Sequence, residues 1–270
     1  MSASLLHITG PIPGQGERIV IDGSEGRHGA SALRLAPGED VLVGDGAGVL
    51  AECRVESAGQ GTVEATVLAR REVPEPSLRV TVVQALPKSE RSELAVDLAT
   101  EAGADEIVPW QSERCVSRWT GGKGSSNGSG KNSGKAEKGR AKWENAARAA
   151  AKQARRARVP RIGELVEGRT LAALVREWTD EGALVVVLHE EESRPFADAI
   201  GSAVAGAEAA TPGRLVLVVG PEGGVSPAEI EALRSAGAVP ALLGPEVLRT
   251  STAAAVALGA IGVLTGRWGG

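Results

Sequence analysis

The sequence predicts two domains of different class: a small β-barrel over about the first seventy residues, then an α/β domain with a mostly parallel sheet over the remainder. Three observations carry this. Short β-branched segments separated by glycine-containing turns fill the N-terminal quarter. Pro74 and Pro76 stiffen 72–77, a plausible boundary. Beyond them, buried-type strands alternate with helical patterns, which builds a parallel sheet covered on both faces. At 270 residues the chain is long enough for each part to have its own core.

The elements follow in order. Residues 1–72 form the first domain, with strands at 18–22, 40–43, 49–56 and 62–69. Gly44-Asp45-Gly46-Ala47-Gly48 has glycines spaced like a dinucleotide loop, but a strand follows it and not a helix, so it reads as a hairpin turn. Residues 73–77 are the linker and 78–270 the second domain. There 78–85 is a nearly continuous apolar strand, and 89–102 is a helix with Leu94, Ala95, Leu98 and Ala102 on one face. A short strand at 107–109 comes next. Residues 121–134 are only Gly, Ser, Asn and Lys, a composition that buries no core, so a disordered basic loop is expected over about 120–139. The helix 142–158 follows, with Ala146, Ala147, Ala150 and Ala154 on one side and Arg148, Lys152, Arg155 and Arg156 left for solvent or RNA. Strands at 183–188, 214–219 and 239–243 complete the sheet. The helix from Thr252 is apolar on every face, so it is expected to be buried on all sides, inside the domain or at a subunit interface.

Composition excludes several classes. With 42% hydrophobic and 24% charged residues the chain is neither collagen-like nor wholly disordered. Cys53 and Cys115 are far apart and make neither a thiolate zinc site nor a redox dithiol, which suits a reduced, cytoplasmic protein. His7 and His189 lack partners at ligand spacing, so no metal is expected. The N-terminus has no basic region ahead of an apolar run, and the longest uncharged apolar stretch, 15 residues at 252–266, is too short for a membrane span. The net charge of −4 conceals an asymmetry: 118–161 holds thirteen Lys and Arg against Glu137 and Glu144. Such a segment either gathers phosphates or keeps an insertion soluble.

The chemistry concentrates at two strand ends. Residues 216–219 run into Gly220-Pro221-Glu222-Gly223-Gly224, and Ser226-Pro227-Ala228-Glu229 then opens a helix with a capping box and proline at its first position. A loop between a parallel strand and a helix N-terminus is where open α/β sheets bind ligands, and glycines let a ligand approach the backbone. The alternative is a tight turn that binds nothing. Without a lysine or the P-loop spacing, the loop does not suit a nucleoside triphosphatase. A second junction repeats the arrangement: Leu243-Gly244-Pro245-Glu246-Val247-Leu248-Arg249-Thr250. Arg249 either caps a carbonyl at the surface or is the charged group nearest a ligand.

These two loops resemble the signature loops of the RsmE family, SPOUT-class methyltransferases that modify N3 of a uridine in small-subunit ribosomal RNA. Further matches occur in family order: His28 with Leu33-Arg34-Leu35, Lys88 before a helix ending Glu101-Ala102-Gly103, Ser112-Glu113-Arg114-Cys115, and Gln153 followed by Arg156 and Pro160. The resemblance covers nearly the whole chain. It implies a PUA-like RNA-binding barrel and a C-terminal SPOUT domain whose end is threaded into a trefoil knot, a rare exception to ordinary topology. It also implies S-adenosyl-L-methionine as cofactor, 16S ribosomal RNA in a small ribosomal subunit as substrate, and a homodimer paired through the knot. By that resemblance Leu188, His189, Gly220, Pro221, Glu222, Gly224, Leu243, Gly244, Leu248 and Thr250 surround the cofactor, Arg249 is catalytic, and His28, Arg34, Lys88, Arg114 and Arg156 contact RNA. The alternative for His28 and Arg34 is packing within the barrel, and Trp119 and Trp143 are either core residues or stack on bases. The chain departs from the family at Ser251, which replaces a usual Glu, at Lys152, where Glu is common, and at Arg155, where Gly is normal. Two other classes share parts of the pattern: a SPOUT ribose 2′-O-methyltransferase, and a non-catalytic RNA-binding assembly protein.

Overall fold

The computed structural model describes residues 3–88, 91–120, 129–204 and 213–269. It divides into two compact units, 1–75 together with 148–159, and 76–147 together with 160–270. The return of 148–159 to the first unit is a crossing that a single boundary at 72–77 does not anticipate.

The first unit is built on a five-stranded sheet in the order β1-β3-β4-β5-β2: β1 Leu5–His7, β2 Arg18–Ile21, β3 Asp40–Gly44, β4 Val49–Gly59 and β5 Thr62–Glu72. Four of its strands stand where expected, and β1, only three residues long, was not. Alternation drives the fold: Val41, Val43, Cys53, Val55, Val63, Ala65 and Val67 point inward and are buried, while their neighbours face out. Burial pushes the Cys53 thiol up to about 11, so it remains protonated at neutral pH. Residues 44–48 form the β3–β4 turn, where the Asp45 carboxylate accepts hydrogen bonds from the amides of Ala47 and Val49 (2.7 and 3.0 Å). Between β2 and β3 lie α1 (Gly23–Arg27) and a single π-helical turn, His28–Ala32, closed by Arg34 in the left-handed conformation (φ 52°).

The second unit holds a seven-stranded sheet ordered β12-β10-β11-β6-β7-β8, with β9 also pairing β7. Its strands are β6 Arg79–Ala85, β7 Glu106–Gln111, β8 Arg161–Ile162, β9 Val166–Glu167, β10 Leu184–Leu188, β11 Arg214–Val219 and β12 Val239–Ala241. Every pair among them is parallel. All strands therefore point one way and their C-terminal ends share one rim. Helices α2 (Ser92–Glu101), α4 (Gly168–Asp180), α5 (Phe196–Val204), α6 (Pro227–Ser235) and α7 (Thr250–Leu264) pack around the sheet. After β12, Leu242 exchanges backbone hydrogen bonds with Arg194 and Phe196, and α7 then packs on α2, β6 and β11.

Three expectations need correcting. In α2 the buried side is Ala95, Val96, Ala99 and Thr100, and Leu94 is 40% exposed, because α7 takes the alanine-rich face where helices approach most closely. Helix α3 runs Ser129–Gln153, so 129–139, expected in the disordered loop, is helical; 121–128 lie outside the described residues. It also stops short of 158. Arg155 adopts φ 52° and Arg156 donates back to the Ala151 carbonyl (2.8 Å), a Schellman closure that leaves Ala154 exposed. On α7, Val256, Val263 and Leu264 are 50%, 73% and 42% exposed in the single chain, so of the two settings expected for this helix a location wholly inside the domain does not account for them.

Candidate functional site

Loops leaving five of the parallel strands line one cleft of about 560 Å³. Lys88 and Arg91 follow β6, Arg114 follows β7, His189 to Glu191 follow β10, Gly220 to Val225 follow β11, and Leu242 to Arg249 follow β12.

The β11 loop is held rigidly. Residues 215–219 are buried, and the chain then turns so that the Gly224 amide donates to the Pro221 carbonyl (2.9 Å), with Gly224 at φ +70°. Gly220 is required for a different reason: a Cβ there would stand 2.7 Å from Val225 Cγ2. The capping box is present, with Ser226 Oγ accepting from the Glu229 amide (3.3 Å) and Glu229 Oε2 from the Ser226 amide (3.1 Å). Three further hydrogen bonds tie this corner to its neighbours. The Lys88 amide donates to Glu222 Oε1 (3.1 Å), Arg114 Nη1 to the Gly223 carbonyl (3.1 Å), and the Glu113 amide to Glu229 Oε1 (2.8 Å). Such cross-bracing fixes the cleft floor before any ligand arrives.

The β12 loop is more open. A Cβ on Gly244 would have only Glu246 Oε2 nearby, at 3.9 Å, and Leu248 is 37% exposed. Arg249 stands at the N-cap of α7 with extended backbone, and its carbonyl accepts from the amides of Thr252 (2.9 Å) and Ala253 (3.0 Å). Its guanidinium makes no side-chain cap and, among the described residues, no ion pair. The reading of Arg249 as a carbonyl cap is therefore not what the geometry supports. Ser251, at the start of α7, is 1% exposed, and its Oγ is buried without a hydrogen-bond partner.

Electrostatically the cleft is balanced, with Glu190, Glu191, Glu222 and Glu246 against Lys88, Arg91, Arg114 and Arg249. His189 Nδ1 accepts a hydrogen bond from the Glu191 amide (3.3 Å). Behind the floor, burial pushes the Cys115 thiol up; with Ser112 Oγ at 3.4 Å it is a structural group and not a nucleophile.

Thirteen of the residues singled out from the sequence line this cleft: Lys88, Arg114, Leu188, His189, Gly220, Pro221, Glu222, Gly224, Leu243, Gly244, Leu248, Arg249 and Thr250. Sequence reasoning missed Arg91, Glu190 and Glu191, and gave Glu246 no role within the second loop; for Glu190 and Glu191 an acidic run directly after a strand end was the available signal. His28, Arg34 and Arg156 belong to the other unit and are not among the cleft residues. There Lys152, expected to face solvent or RNA, pairs with Glu25 (2.9 Å). Trp119 and Trp143 are core residues, packed edge to face at 5.1 Å and 9% and 1% exposed, so base stacking by them is ruled out. Among the described residues no His, Cys, Asp or Glu cluster has a metal-binding arrangement, and no helix is long and apolar enough to cross a membrane.

Residues 74–262 match the model of an RNA methyltransferase domain, and 21–68 that of an RNA methyltransferase PUA domain. The chain is 50% identical over 265 residues to ribosomal RNA small subunit methyltransferase E of Mycobacterium tuberculosis, spanning 98% of this chain and 94% of that one. Its counterpart of the same name in Bacillus subtilis is 29% identical over 249 residues, 91% and 90% of the two chains. Among solved structures, a putative methyltransferase from Legionella pneumophila in complex with the bound cofactor SAM is 26% identical with TM-score 0.78, covering 97% of this chain and 98% of that one. A ribosomal RNA small subunit methyltransferase E from Neisseria gonorrhoeae, 23% identical with TM-score 0.78 over 97% and 98% of the chains, shares the fold.

Proposed function

Since the chain belongs to the RNA methyltransferase family that includes ribosomal RNA small subunit methyltransferase E, we propose that it transfers a methyl group from S-adenosylmethionine to N3 of a uridine in 16S ribosomal RNA. The observation that carries this reading is the convergence of both glycine loops, Lys88 and Arg249 on a single cleft.

The cleft suits the cofactor. About 560 Å³ is within the range of small-molecule sites, Leu188, Val219, Leu243 and Leu248 offer apolar walls for an adenine, and Glu190, Glu191 and Glu246 offer carboxylates to a cation. Gly220, Glu222, Gly224, Gly244 and Thr250 would hold it, the glycines leaving backbone groups accessible. When bound, S-adenosylmethionine supplies an electrophilic methyl on a sulfonium. The chain's own residues do the rest. Uridine N3 carries a proton and is paired in a helix, so the base has to be unstacked and the proton lost. Arg249, with its guanidinium unpaired, stabilises the uracil anion as it forms, and Lys88 supplies a second positive charge from the same or a partner subunit. His28, Arg34, Arg114 and Arg156 hold the RNA through its phosphates.

Finer features of the fold belong to the same reading. The N-terminal sheet curls as a PUA-like barrel. The hydrogen bonds of Leu242 to Arg194 and Phe196, followed by a helix packed on the inner strands β6 and β11, support a chain end threaded through a trefoil knot. The exposed Val256, Val263 and Leu264 on α7, with Leu94 on α2, support a homodimer that covers them. Incubation of the protein with labelled S-adenosylmethionine and unmodified small ribosomal subunits, followed by mass spectrometry of the digested RNA, tests the function. Label on uracil N3 supports it; label on a ribose hydroxyl, or no transfer, overturns it.

A further inference from the structure

Gln84 is an anomaly in the central strand. It is 1% exposed, flanked by the buried Val82, Val83, Ala85 and Leu86, and it sits in register between Val219 of β11 and Pro109 of β7, at the strand end that leads into the cleft. Its amide donates to the Ala85 carbonyl (3.1 Å) and to the Thr250 carbonyl (3.3 Å), 166 residues away. Both partners are carbonyls, so the NH₂ side of the amide is assigned by the network. The Oε1 atom is buried without a partner. A buried, unpaired acceptor costs stability, so packing alone gives no reason for glutamine here when an apolar side chain of similar volume would fill the space.

The Thr250 carbonyl is the first one inside α7, next to Arg249, whose own carbonyl begins the helix. Gln84 thus joins the end of β6 directly to the residue that follows Arg249. We infer that Gln84 is a positioning residue: through the Thr250 carbonyl it fixes the first turn of α7 and so the direction in which Arg249 enters the cleft. This rests on the catalytic role proposed for Arg249. A backbone hydrogen bond at this point controls the path of the N-cap residue, and displacement of a catalytic group by about 1 Å costs on the order of a hundredfold in rate.

The test uses the full-length protein with S-adenosylmethionine and unmodified small ribosomal subunits, comparing Gln84→Leu, Gln84→Glu, Arg249→Ala and the double variant Gln84→Leu/Arg249→Ala. Gln84→Leu keeps its Tm or gains slightly, since an unpaired acceptor is removed, and binds the cofactor within about threefold of the parent, while kcat falls roughly tenfold to a hundredfold with KM for the subunit little changed. Gln84→Glu has no donor when ionised and one when protonated, so its defect relative to the parent at the same pH shrinks as pH falls. The double variant is no slower than Arg249→Ala alone, because the two residues act through one group. An unchanged kcat in Gln84→Leu beside a slow Arg249→Ala overturns the inference while leaving the catalytic reading intact. Losses that multiply in the double variant, or a Tm that falls in parallel with kcat, overturn it as well. A normal rate in Arg249→Ala overturns both.

Discussion

Substitution at Gly224 and at Arg249 separates holding the cofactor from using it. Gly224 has φ +70°, and a Cβ added there would meet nothing closer than Arg114 Nη1, at 3.8 Å. The cost of Gly224→Ala is therefore conformational and not steric: about 1–2 kcal/mol to keep an L-residue left-handed. If the substituted turn relaxes when empty and must be restored to bind, cofactor affinity falls roughly fivefold to thirtyfold. Gly224→Val, branched at Cβ, is expected to abolish binding. Arg249 differs in every respect. Its guanidinium caps nothing, so Arg249→Ala should leave Tm unchanged. Its loss should leave cofactor affinity nearly unchanged and slow methyl transfer by on the order of 10². Calorimetric titration with S-adenosylmethionine and single-turnover rates measure both quantities. Equal loss of cofactor binding in Gly224→Ala and Arg249→Ala would refute the division of labour and make Arg249 part of the cofactor pocket. Normal turnover in both would refute the site.

Three further outcomes follow from the structure. Arg155 occupies the left-handed closing position of α3, so Arg155→Gly should stabilise the protein by about 0.5–1 kcal/mol in urea titration and, by removing an exposed charge, weaken RNA binding. Asp97 lies between Glu93 and Glu101 on α2, and burial, then Glu101 and Glu93, raises its pKa. A carboxyl raised in the folded state binds more protons folded than unfolded, so it loses stability as pH rises through its titration. Asp97→Asn should therefore raise Tm at neutral pH, with the gain vanishing as pH falls below the carboxylate range. Val263→Glu places a charge in the exposed stripe of α7, and sedimentation at micromolar concentration should show a dimer for the parent and a monomer for the variant.

Local patterns explain how much could be read beforehand. Strand alternation located β2 to β5, uninterrupted apolar runs located β6, β10 and β11, and Ser226-Pro227-Ala228-Glu229 located the start of α6, because each of these signals acts within a few residues of its cause. The glycine loops pointed to the site for the same reason: a tight turn at a strand end needs glycine wherever it occurs. Residues 129–139 are helical despite their composition because glycine and serine lower helix propensity without forbidding a helix, and Leu94 stays exposed because α2 buries its alanines and packs on α7, a partner far along the chain.

By itself the sequence determined the parallel sheet, the basic segment, the two glycine loops at strand ends and, through the order of its motifs, the family. Only the tertiary structure decided that thirteen residues from five loops share one cleft, that Glu222 braces Lys88 and Arg114 braces Gly223, that Lys152 is paired and Trp119 and Trp143 are core, and that Gln84 reaches Thr250. The physical reason is range. Turn chemistry and burial periodicity are settled by neighbours a few residues away, whereas a hydrogen bond between side chain and backbone 166 residues apart exists only once a parallel sheet has brought its strand ends to the same rim.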